Sequence, residues 1–223
     1  MLPEAILFDI DGTLINSGGA GARSWAFAFE RLYGHPVDIG AFTDAGMTDP
    51  EVGRLTFAKD QGHEPSPREL ARLIHTYLSV LPDFVSESEG YRVLPGVQDL
   101  LPRLMDEGVF LGITTGAVEA AAHVKLGRGR LNHFFSFGGY GSDSADRIEL
   151  TERAFHRGRN VAGHELDPKR TMVVGDTPLD VKAAQGAGLI AIGVASHHNT
   201  KEELAAAGAD YVLGSLEEPL PEL

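Results

Sequence analysis

Ile6-Leu7-Phe8-Asp9-Ile10-Asp11-Gly12-Thr13-Leu14 is the stretch from which the rest of the chain is read. The apolar run from Ala5 to Phe8 has the length of a buried strand. Two carboxylates separated by one residue follow it, and Gly12 then permits a sharp turn. Burying two acids without a counter-charge is costly. A hard cation such as Mg²⁺, which takes carboxylate oxygens, resolves the cost. In extended backbone, residues i and i+2 face the same side, so Asp9 and Asp11 can address one ligand.

Downstream, Ser17-Gly18-Gly19-Ala20-Gly21 reads as a connector; it matches neither the dinucleotide fingerprint nor the P-loop. Trp25, Phe29 and Leu32 predict a helix over 23–32, stopped by Gly34 and Pro36. A second helix is expected over 49–59, with Asp49 as its cap and Pro50 in its first turn. A third begins after Ser66-Pro67, carries Leu70, Leu73, Tyr77 and Leu81 on one face, and is expected to break at Pro82. No strand is expected between residues 17 and 93.

From Pro95-Gly96 onward helix and strand alternate. Helices are expected over 97–107, 117–126, 145–160, 179–187 and 201–207, and strands over 109–115, 134–137, 171–175, 189–194 and 211–212. This alternation predicts an α/β fold, a Rossmann-like parallel sheet with helices on both faces. Residues 1–16 and 94–223 would form a core domain, with 17–93 inserted as a helical domain.

In such sheets ligands bind outside the carboxyl ends of the strands. Asp9 and Asp11 follow the first strand, Thr114, Thr115 and Gly116 end the next, and Gly175-Asp176-Thr177-Pro178-Leu179-Asp180 follows a third. Three distant segments thus converge on one end of the sheet. They bring carboxylates for a cation, and a hydroxyl and backbone amides for an anion.

In this order the motifs resemble those of the haloacid dehalogenase-like (HAD) hydrolases, in the group similar to phosphoglycolate phosphatase and β-phosphoglucomutase with a helical cap over residues 17–93. The resemblance implies a Mg²⁺-dependent phosphatase that hydrolyses a small phosphorylated metabolite through an aspartyl-phosphate. It makes Asp9 the nucleophile and a metal ligand. Asp11 becomes the acid/base residue, with its backbone carbonyl on the metal. Asp176 and Asp180 complete the metal site, and Thr115, the Gly116 amide and Arg147 hold the phosphoryl oxygens. The second aspartate argues against dehalogenation. Gly46-Met47-Thr48 resembles the cap loop that reaches the substrate in phosphoglycolate phosphatase-like members. A β-phosphoglucomutase-like phosphomutase and a catalytically silent ligand-binding relative stay open as alternatives.

The chain departs from the family at its third motif, normally a lysine. Lys125 sits late in its helix and is expected to point away from the active end; Lys59, Lys169, Lys182 and Lys201 are expected elsewhere. Arg147, in the first turn of a helix, opposes the helix dipole unless an anion lies near it, which makes it the candidate cation. Arg128 and Arg130 are weaker candidates. His133, His164, His197 and His198 are read as loop or connection residues that match no zinc spacing.

Composition sets the outer bounds. A formal charge of −13 and 43% hydrophobic residues fit a folded chain and oppose nucleic-acid or anionic-membrane binding. The chain has no cysteine, hence no disulfide or thiolate zinc site. Met1-Leu2-Pro3-Glu4 lacks signal-peptide character, so a cytoplasmic location is expected.

Overall fold

The computed structural model describes residues 2–196 and 199–222; His197 and His198 lie outside them. The strands are β1 (Ala5–Phe8), β2 (Ile15–Ser17), β3 (Tyr91–Val93), β4 (Phe110–Thr115), β5 (Phe137–Tyr140), β6 (Thr171–Gly175), β7 (Ile190–Val194) and β8 (Tyr211–Leu213). The α-helices are α1 (Ala20–Tyr33), α2 (Asp49–Gln61), α3 (Pro67–Glu87), α4 (Val97–Asp106), α5 (Glu119–Arg128), α6 (Arg147–Ala162), α7 (Pro178–Gly186) and α8 (Lys201–Ala206).

Six strands form one sheet in the order β5-β4-β1-β6-β7-β8, and every pairing in it is parallel. Residues along β1 are all buried and alternate in the face they fill. Ile6 and Phe8 join the apolar layer shared with Leu100 of α4 and Ala122 of α5, while Leu7 joins the layer of Ala154, Val181 and Leu204 from α6, α7 and α8. Helices therefore cover both faces, as parallel sheets require. The architecture is the Rossmann-like α/β fold expected from the sequence.

Strand order positions the functional ends. β1 lies between β4 and β6, with Phe8 level with Ile113 on one side and Val174 on the other. The switch in chain direction across β1 opens the crevice in which such sheets bind ligands. Gly12 carries the chain out of β1 with φ of 85°, and the Gly12 amide donates to Ile15 O at 2.8 Å.

Three local expectations are corrected. Residues 15–17 and 91–93 pair as antiparallel β2 and β3, so both ends of the helical insertion leave through a two-stranded ribbon. Helix α3 does not stop at Pro82 but runs to Glu87, where Leu81 and Val85 stay buried in the core. Tertiary burial on either side of the proline outweighs the local cost of a missing amide. The strand expected over 134–137 lies at Phe137–Tyr140 instead, because Asn132–Phe134 forms a 3₁₀ turn. Its Gly138 and Gly139 hid it from an apolar-run reading. Helix α6 packs so closely that a β-carbon on Gly139 would collide with the Leu150 carbonyl. Among the described residues no helix is long and apolar enough to cross a membrane.

Candidate active site

The carboxyl end of the sheet opens into a cavity of about 590 Å³. The sheet side contributes Asp9, Asp11, Thr115, Gly116, Arg147 and Asp176, and helices α1–α3 with their loops contribute Trp25, Met47, Asp49 and Tyr77. Residues from all three strand ends thus line one space, while Thr114, bonded to the Thr151 hydroxyl, and Asp180 lie behind its wall.

Asp9 is held by its own amide, which donates to Val174 O at 2.8 Å. Its side chain is buried. Burial raises its pKa, Arg147 opposes the rise, and Asp176 and Asp11 add to it, so the carboxyl is pushed up to about 7. Asp176 is pushed up to about 6, chiefly by burial, against a hydrogen bond with Ser196 and with Asp11 adding. Oxygens of Asp9, Asp176 and Asp180 lie within 4.8 Å of one another, and all three residues are buried. Asp11 contributes no side-chain oxygen to that group.

Asp180 does two things. As the third residue of α7 it closes a capping box, accepting through Oδ2 from the Thr177 amide at 3.0 Å and the Thr177 hydroxyl at 2.7 Å. Its Oδ1 pairs with Arg147. The capping role that sequence alone suggests for Asp180 is thus real and coexists with a place at the site.

Arg147 opens α6 and is buried. Its Nη2 lies 3.5 Å from Asp9 Oδ1. The acids beside it in sequence are engaged elsewhere: Asp143 pairs with Arg157 at 2.6 Å, and Asp146 caps the helix at Ile148 N at 2.8 Å. Burial lowers the Arg147 pKa while Asp9 and Asp176 oppose that change; a guanidinium starts high enough to stay charged. Its Nε and Nη1 are buried without a hydrogen-bond partner, as is Asp176 Oδ1. Buried orphan groups of this kind are rare. Two donors and one acceptor of opposite demand therefore meet beside Asp9, suited to an anion and a cation respectively.

That donor set fits Mg²⁺. It offers oxygen ligands only, three clustered carboxylates against one guanidinium, and an acceptor with no proton donor. Burial has also raised the pKa of two of these carboxylates, the state that a cation relieves.

Thr115 ends β4, and its Oγ1 accepts from Ala117 N at 3.3 Å. Gly116 lies under the 46–48 loop, since a β-carbon there would strike the Met47 carbonyl oxygen. Gly46 closes on the other side, where a β-carbon would come within 2.7 Å of Thr177 Oγ1. Gly46, Met47 and Thr48 thus lie directly over the ends of β4 and β6. Arg128 and Arg130 do not line this cavity; Arg128 donates to Ser88 O at 2.8 Å. His133 and His164 lie on the outside of the fold, away from the cavity.

Two residues were misplaced by sequence reasoning. Lys125 points into the cavity, not away from it, and donates to Asp11 Oδ2 at 2.5 Å. It lies on the buried stripe of α5 with Ala121, Ala122 and Leu126. A lysine at that apolar spacing was the available signal. Asp49 does not cap α2, whose cap position is Thr48. Instead its Oδ2 accepts from Val118 N at 2.9 Å, and its amide donates to Gly116 O at 2.8 Å. It thereby ties α2 to the end of β4.

Fold and site together define a Rossmann-like α/β enzyme with a carboxylate-lined crevice at the switch point of its sheet. A model of the haloacid dehalogenase-like hydrolases matches residues 3–188, and the chain belongs to that family. Among similar proteins, phosphoglycolate phosphatase of Synechococcus elongatus is 29% identical over 94% of this chain and 92% of its own length. Validoxylamine A 7'-phosphate phosphatase of Streptomyces hygroscopicus subsp. limoneus is 29% identical over 96% and 95%. Among solved structures, CbbY from Rhodobacter sphaeroides in complex with phosphate aligns with a TM-score of 0.74 at 23% identity, over 97% of this chain and 96% of that one. The last likeness supports the fold.

Proposed function

We propose that this enzyme is a Mg²⁺-dependent phosphatase, phosphoglycolate phosphatase-like, that hydrolyses a small phosphorylated metabolite in the cytoplasm through an aspartyl-phosphate on Asp9. One observation carries the reading. Buried, unpartnered N–H groups of Arg147 and the unpartnered Asp176 Oδ1 flank Asp9 in one crevice, which suits a phosphoryl group on one side and a cation on the other. The relatives named as phosphatases support the same reaction class.

Asp9 attacks phosphorus and takes the phosphoryl group. Arg147 takes the cation role that lysine fills elsewhere in the family, presenting Nε and Nη1 to phosphoryl oxygens, with the Thr115 hydroxyl and Gly116 amide opposite. Asp11 hands a proton to the leaving oxygen and later takes one from the water that cleaves the intermediate. Asp9, Asp176 and Asp180 with the Asp11 carbonyl would hold Mg²⁺, which neutralises charge so that two anions can meet. Residues 17–93 act as a cap domain on the core of 1–16 and 94–223. The 46–48 loop shuts bulk water out of the cavity.

The test is turnover of p-nitrophenyl phosphate and then of a panel of phosphorylated metabolites, with Mg²⁺ and with chelator. Asp9→Asn abolishes phosphate release; activity surviving that change sinks the nucleophile assignment. Label held in a bisphosphate with little free phosphate indicates a phosphomutase instead.

A further inference from the structure

Lys125 is a cation that the proposed reaction leaves without a role, yet it sits deep in the wall of the same cavity. Its side chain is 8% exposed and its ammonium lies 2.5 Å from Asp11 Oδ2. Burial works against the charged form, but the fields of Asp11, Tyr77 and Asp49 more than offset it, so its pKa lies above the ordinary value. Those groups come from different parts of the fold. Lys125 rises from α5, Asp49 opens α2, and Tyr77 lies in α3. Asp49 is itself fixed to the sheet through Val118 N and Gly116 O. The ammonium is thus hydrogen-bonded to Asp11 Oδ2 and lies in the field of Asp49, which is set on a separate element.

Asp11, by contrast, has little else to fix its side chain. It leads into the Gly12 turn, its side chain is 40% exposed to the cavity, and only Oδ2 is tied. A side chain free to rotate would spend little time aimed at a reacting water. Geometry of that kind is worth orders of magnitude in rate.

We propose that Lys125 is a positioning residue for Asp11: it ties Oδ2 and leaves the second oxygen aimed at the water that hydrolyses the phosphoenzyme. The inference rests on the reading of Asp9 as nucleophile and Asp11 as acid/base. With p-nitrophenyl phosphate the first step needs no acid, because nitrophenolate leaves unaided. The second step still needs a well-aimed base. A mispositioned Asp11 therefore slows hydrolysis of the intermediate selectively.

The experiment is stopped-flow and steady-state kinetics of Lys125→Met with Mg²⁺ and p-nitrophenyl phosphate, beside wild type and Asp11→Asn. In Lys125→Met, kcat falls by about 100-fold or more, the range of a lost general base. KM falls with it, kcat/KM stays within about threefold, and a nitrophenol burst equal to the enzyme concentration appears. Asp11→Asn gives the same pattern, and adding Lys125→Met to it costs little more. Equal loss of kcat and kcat/KM without a burst, or fully additive losses, overturns the positioning role while leaving the phosphatase reading intact. Absence of any acid-stable phosphoenzyme on Asp9 in wild type, Asp11→Asn and Lys125→Met alike sinks the phosphatase reading instead. If Lys125→Met does not fold, Lys125→Met with Asp49→Asn removes a buried cation and a buried anion together and is read the same way. Failure of both to fold assigns Lys125 to the stability of the fold and overturns the proposal.

Discussion

Gly12 and Asp176 meet so closely across the crevice that a β-carbon on Gly12 would fall inside the Asp176 carboxylate. Gly12 also holds φ of 85°, a conformation that costs other L-residues about 1–2 kcal/mol. Gly12→Ala therefore carries a modest strain and a severe local displacement of a proposed metal ligand. The expected result is a folded protein whose apparent Mg²⁺ affinity, read from activity against Mg²⁺ concentration, drops by about 10- to 100-fold. An unchanged Mg²⁺ dependence would remove Asp176 from the metal site.

Arg147 is the cation between Asp9 and Asp180. Arg147→Met leaves buried carboxylates uncompensated, which costs about 3–5 kcal/mol. For a chain of this size that is a fall in melting temperature of about 6–20 °C. Mg²⁺ should recover part of the loss, because it supplies the missing positive charge. Thermal melts with chelator and with Mg²⁺ check both statements; a variant that melts with wild type in chelator contradicts them.

The carboxyl pKa values fix the sign of the pH dependence. Unfolded aspartates titrate near 3.9, whereas in the fold Asp9 holds its proton up to about 7 and Asp176 up to about 6. The native state binds more protons than the unfolded state across that interval, so the metal-free protein loses stability as pH rises from about 4 through 7. Mg²⁺ favours the ionised forms and flattens the slope. Melting temperatures between pH 5 and 8, with and without Mg²⁺, read this directly. A metal-free protein that gains stability over the same range refutes the assignment.

Trp25 is the chain's one tryptophan and lines the cavity. It stacks on Tyr77 with centroids 4.3 Å apart and planes 9° from parallel. Its fluorescence should respond when Asp9→Asn enzyme binds a phosphate monoester with Mg²⁺, giving a titratable signal without turnover. Trp25→Ala removes a fully buried aromatic and should cost about 3–5 kcal/mol in chemical denaturation. A cost below about 1 kcal/mol would mean the stack is not part of the core.

Much of the fold was legible because it is locally encoded. Thr171–Gly175 is a strand because five consecutive residues are buried on both faces of a central parallel strand, and such strands read as short apolar runs. β5 was shifted because Phe137-Gly138-Gly139-Tyr140 owes its place to the close approach of α6, not to strand propensity. Pro82 looked like an end because its local cost is visible in sequence and the burial of Leu81 and Val85 is not.

By itself the sequence determined that Asp9, Asp11, Thr115 and Asp176 lie at the carboxyl ends of strands of one parallel sheet. Alternation and strand ends are short-range properties, and the topology of parallel sheets gathers those ends at one edge. Tertiary structure alone decided how charges pair there. Lys125 reaches Asp11 because α5 turns its buried stripe toward the cavity, and Arg147 reaches Asp9 and Asp180 because α6 begins beside α7. Asp49 leaves its own helix end to bind Val118 across the crevice. These pairings depend on how long side chains desolvate and meet between packed elements, a balance of burial and partner distance that no single segment carries.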